Sequence, residues 1–71
     1  MFDYSKLRGR IREKFKTEGS FADRIGMSPR TLSLKLSGLR DWTSSEMYKA
    51  LEALELVSTD AGTYFFTLQV Q

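Results

Sequence analysis

Apolar residues along this chain recur at helical spacing in four runs, two of which end at a glycine. Leu7, Ile11 and Phe15 fall four apart in "YSKLRGRIREKF", which predicts a first helix near residues 4–16. Gly9 lies inside it at a cost of about 1 kcal/mol against alanine, so close approach of another helix is expected there. Phe21, Ala22 and Ile25 mark the inward side of a second helix over roughly 18–25, with Thr17 as its capping residue. Gly26 ends it, because a left-handed backbone is cheap only without a Cβ. Ser28 and Pro29 then start a third helix, near 29–37: a capping hydroxyl, followed by a residue whose missing N–H costs nothing in the first turn. So short a linker makes the second and third helices cross steeply.

Gly38 closes the third run, and "WTSSEM" opens the fourth. There Thr43 and Glu46 form a capping box, and Trp42 can staple onto Met47 across it. Met47, Ala50, Leu51 and Leu54 continue an inward stripe to about residue 55. The last segment reads two ways. "STDAGTYFF" suits a short helix capped by Ser58, while Tyr64, Phe66, Leu68 and Val70 alternate with their neighbours as in a strand. A short helix near 59–65 followed by an extended tail is the favoured reading. The expected fold is therefore all-α, a compact four- to five-helix domain over residues 1–71.

The third helix carries an unusual outward face. On a wheel of about 100° per residue, Leu32 and Leu36 lie about 40° apart and mark the core side. Leu34 falls on the opposite side, among Arg30, Ser33 and Ser37. Two small hydroxyls allow close approach, a guanidinium can donate to guanine, and an aliphatic group can meet a thymine methyl. The free N–H groups at the helix start favour a phosphate. A lone exposed leucine is also ordinary on any surface.

Composition narrows the chemistry. The chain has 71 residues with no cysteine and no histidine, which removes disulfides, thiolate metal sites and the usual acid–base residue near neutral pH. No cofactor or metal site is expected, and no enzyme activity. Glu52 and Glu55 lie about one turn apart, as on a solvated helix face, and no glycine-rich phosphate loop is present. No apolar run approaches the roughly 18 residues of a membrane span, and "FDYSKLR" after Met1 is unlike a signal peptide. A cytoplasmic setting is expected. The net charge is +2, but residues 1–40 hold ten Lys/Arg against four Asp/Glu and residues 41–71 hold one against five, giving +6 and −4. A basic amino-terminal part suggests a polyanionic partner.

The stretch "SFADRIGMSPRTLSLKLSGLR" resembles the helix-turn-helix of lambda-repressor-like (Cro/repressor, XRE-type) DNA-binding domains, and small phage Cro-like regulators in particular. Ala22, Gly26, Leu32 and the exit Gly38-Leu39-Arg40 carry the likeness, with a core over 18–37. The resemblance implies a recognition helix over 29–37 that enters the major groove of a pseudo-palindromic operator in the bacterial host. Ser28, Pro29, Arg30, Ser33 and Leu34 would then face bases or groove, and Ser37, Arg40 and Lys35 would lie near the backbone. It also implies a homodimer, formed at least on DNA. Three positions depart from the family pattern: Glu18 replaces a phosphate-touching glutamine, Pro29 a base-bonding residue, and Lys35 an aliphatic core residue.

Tyr64, Phe65, Phe66, Leu68 and Val70 form a dense apolar cluster that either closes the core against the first helix or makes a dimer or partner interface. Two functions are thus in contention: a Cro-like regulator of operator DNA, and an antirepressor that uses the same fold to bind a phage repressor protein. Single-stranded RNA binding through Tyr64 and Phe66 has no RNA-binding motif behind it.

Overall fold

The computed structural model describes residues 2–69; Val70, expected above in the terminal apolar cluster, lies outside the described residues. Among the described residues five α-helices follow one another: α1 Ser5–Phe15, α2 Glu18–Arg24, α3 Pro29–Leu36, α4 Ser44–Ala53 and α5 Ala61–Phe65, the last entered through a 3₁₀ turn at Ser58–Asp60. The fold is all-α, and the described residues include no strand beyond an isolated bridge.

Local chemistry accounts for each boundary. Thr17, Ser28 and Thr43 accept the backbone N–H three residues on, which satisfies one orphan donor at the starts of α2, α3 and α4. At Thr43 the capping box is complete, because Glu46 accepts the Thr43 N–H at 2.9 Å. The ends of α2 and α3 are closed by glycines in the left-handed region, Gly26 at φ 72° and Gly38 at φ 79°. Behind Gly26, Met27 N–H donates to Ala22 C=O at 2.8 Å and Gly26 N–H to Asp23 C=O at 3.2 Å, the paired bonds of a Schellman ending. Gly38 and Leu39 repeat the pattern onto Lys35 and Leu34. The end of α4 does the same with Glu55 at φ 58° in place of glycine.

Leu7, Ile11, Phe21, Leu32, Leu54 and Phe65 are fully enclosed at the centre. Trp42 closes one end of this core with its ring edge-on to Phe65, centroids 5.0 Å apart. After α5 the chain is extended and returns to its own beginning: Phe2 and Leu68 form an antiparallel bridge, with Asp3 N–H donating to Thr67 C=O at 2.6 Å. The alternation seen in the sequence therefore describes the tail, and the helical reading describes 61–65.

Two local expectations are corrected. An added Cβ at Gly9 would meet nothing within 4 Å, so no helix approaches closely there. Ser58 does not cap the final helical segment; Val57 holds that position, and the Asp60 carboxylate accepts its N–H at 2.9 Å.

Candidate functional site

The first candidate surface is built on α3 and its flanks. Ser28 serves the helix start twice, accepting from Thr31 N–H at 3.1 Å and donating to Thr31 Oγ1 at 2.9 Å. Pro29, Arg30 and Ser33 are exposed, and Arg30 forms no ion pair among the described residues. Ser37 is exposed but donates its hydroxyl to Ser33 C=O at 2.8 Å, leaving it mainly acceptor capacity. Arg40 is exposed just past the helix. Leu34 is half-buried and neither fully presented nor sealed in the core. Leu39, which the wheel of the third helix did not cover, is the more protruding leucine at 74% exposure.

Lys35 does not belong to this surface. Only 5% exposed, it donates to Asp41 C=O at 2.7 Å and pairs with Glu46 at 2.8 Å. Its charge is consumed inside the protein, so the expected phosphate contact is corrected to a structural tie between α3 and the start of α4. The wheel held the signal, since position 35 lies about 60° from Leu32. Burial would raise the Glu46 carboxyl, but hydrogen bonds from the Lys35 ammonium and the Thr43 N–H outweigh it and hold it below the usual glutamate value. Glu18 is likewise compensated: Arg8 donates to it at 2.7 Å, so its carboxylate does not stand alone beside α3.

The second candidate surface lies where the two chain ends meet α4. Phe65 is 1% exposed, so it is corrected from interface to core residue, while Tyr64 packs half-buried against that core. Phe66 and Leu68 remain exposed. Phe2 joins them, its ring edge-on to Phe66 at 5.5 Å. Phe66 borders two clefts, one with Met47, Tyr48, Leu51 and Ala61, the other with Phe2, Trp42 and Asp41. Desolvation, with the nearby Asp41 charge, pushes the Tyr4 phenol in the second cleft above its usual value. Phe2 was not legible at this surface, because the bridge that brings residue 2 beside residue 68 is non-local, and Tyr48 joins it only through the cleft between α4 and Phe66.

Among the described residues no group of acidic residues is arranged to hold a metal ion, and no helix is long and apolar enough to cross a membrane. What remains is a pair of outward surfaces on a small helical scaffold, one basic and hydroxyl-bearing, the other apolar. The chain belongs to a family described as a protein of unknown function (DUF739), whose model matches residues 1–68. It is also similar to the solution structure of the modulator of repression (MOR) of the temperate bacteriophage TP901-1 from Lactococcus lactis, with 44% identity and a TM-score of 0.76. That match covers 99% of this chain and 95% of the other. No curated protein matches the chain.

Proposed function

We propose that this protein modulates transcriptional repression in a phage by binding the repressor protein, in the host cytoplasm. The observation that carries this reading is the 44% identity, over nearly the whole length of both chains, to the modulator of repression of a temperate bacteriophage. Two structural features support a protein partner over an operator. Lys35 is withdrawn from the α3 surface, and exposed aromatics of the kind that anchor protein interfaces gather elsewhere. The experiment is a reporter driven by a promoter that the repressor from the same genome silences. Co-expression of this protein is expected to change the repressed output, and the purified pair is expected to bind without DNA. Unchanged output together with no binding rejects the proposal.

A second reading keeps α3 as the recognition helix of a lambda-repressor-like domain on a pseudo-palindromic operator. Arg30 and Arg40, exposed and without an ion pair among the described residues, favour it. In that reading Arg30→Ala relaxes specificity at one base pair and costs about 1–3 kcal/mol there. Selection from random duplexes distinguishes the two, since only an operator-reading dimer returns a palindromic consensus.

A further inference from the structure

The cleft at the joined chain ends is walled by aromatic rings. Phe2, Tyr4, Trp42, Phe65 and Phe66 line it around a volume of about 290 Å³. Two ring pairs fix the walls, Phe2 edge-on to Phe66 at 5.5 Å and Trp42 edge-on to Phe65 at 5.0 Å. Tyr4, Trp42 and Phe65 are themselves part of the core, so these walls are held by the fold.

Among the described residues Asp41 is the one charged side chain that lines this cleft. It is exposed and forms no ion pair there. Desolvation, and after it the Asp41 charge, raises the Tyr4 phenol, so carboxylate and phenol share one space. Neighbouring charges are engaged elsewhere. Lys35 donates to the Asp41 carbonyl but is paired with Glu46. Asp3 accepts the Ser5 N–H at 2.8 Å, with Lys6 near enough to add its pull, and neither side chain lines the cleft. Lys49 borders the grooves beside Gly26.

Aromatic faces carry negative potential and attract a cation, and a carboxylate beside them repels an anion. A neutral apolar occupant would cover the rings but leave the Asp41 charge desolvated without a partner. An ammonium is compact and strongly hydrated. A guanidinium is planar and weakly hydrated, stacks on rings, and donates two parallel bonds to a carboxylate. We propose that this cleft binds a guanidinium group on an aliphatic stem, its plane against the rings and its N–H groups on Asp41. The group comes either from an arginine side chain of a protein partner or from a free guanidinium compound, since both present the same chemistry.

The test follows the indole N–H signal of Trp42, the chain's one tryptophan, by heteronuclear NMR. The probes are arginine capped at both ends, lysine capped likewise, and capped citrulline, the neutral isostere of arginine. Capped arginine is expected to shift the signal saturably, with capped lysine weaker and capped citrulline about fivefold weaker or more. Asp41→Asn keeps size at an exposed position, so it is expected to keep the wild-type melting temperature and bind capped arginine about fivefold more weakly. Phe66→Leu keeps an apolar side chain but removes a ring, and is expected to weaken binding severalfold. Glu52→Gln, outside the cleft, is expected to bind like wild type. Equal affinity for arginine and citrulline means apolar filling alone and overturns the inference. Undiminished binding in Asp41→Asn overturns it, and so does the lack of any saturable shift with wild type. The repressor from the same genome then separates the two sources. A repressor that shifts the indole signal and is displaced by capped arginine supports a partner's arginine as the occupant. A repressor that binds without moving the signal, or does not bind, supports a free compound, because the arginine titration stands without it. The site and the proposed function therefore fail separately.

Discussion

Lys35 shows how one side chain changes role with its surroundings. An ammonium with a 6% exposed side chain is tolerable only because Asp41 C=O and the Glu46 carboxylate both receive it. Glu46 in turn accepts the Thr43 N–H, so one carboxylate closes the α4 cap and neutralises the α3 lysine. Lys35→Ala leaves that carboxylate without its cation and the Asp41 carbonyl without its donor, and opens space under α3. We expect a loss of about 2–4 kcal/mol in urea unfolding. Lys35→Met keeps the volume and removes the buried charge, so its loss is expected to be smaller. The tie also has a pH signature. Because Glu46 is held below its usual value in the folded protein, its contribution is complete above the unfolded value of about 4.3 and fades as pH falls through the folded value. The stability gap between wild type and Lys35→Met is therefore expected to depend on pH only on the acid side of about pH 5, as read from unfolding curves in acetate and formate buffers.

Helix ends are the most legible part of this chain, because each is decided within five or six residues. Thr17, Ser28 and Thr43 as caps, and Gly26 and Gly38 as exits, are all where the local pattern puts them. The same locality explains what was not legible. Lys35 depends on a carboxylate from another helix, Phe65 on Trp42, and Phe2 on a bridge across almost the full chain. Two glycines turn this into opposite predictions. Gly9 is exposed within α1 with open space where a Cβ would go, so Gly9→Ala is expected to stabilise the protein by about 1 kcal/mol. Gly26 has equal space but a φ of 72°, so Gly26→Ala is expected to destabilise it by about 1 kcal/mol through backbone strain alone. Thermal melts of the two single variants check both signs at once.

For the whole molecule, pairing matters more than the formal charge. The amino-terminal forty residues read as strongly basic, yet Arg8, Arg10, Lys14 and Lys35 are each held by a glutamate. On α3 and its exit this leaves Arg30 and Arg40 as the exposed cations without an ion pair among the described residues. A duplex approaching that surface can therefore have only a few phosphates neutralised. Each contributes about 0.9 to the slope of log K against log salt concentration, so a slope of about 2–3 is expected for any duplex binding. Binding that weak is expected to vanish between low and physiological salt, and Arg30→Ala with Arg40→Ala is expected to remove it. Retardation of a random duplex across a salt series measures the slope directly. A slope of about 6 or more would mean that the cations of α1 also reach the phosphates, and it would return the operator reading to first place. A shallow slope beside tight repressor binding would instead assign the two surfaces to different tasks, with the apolar one carrying the specific one.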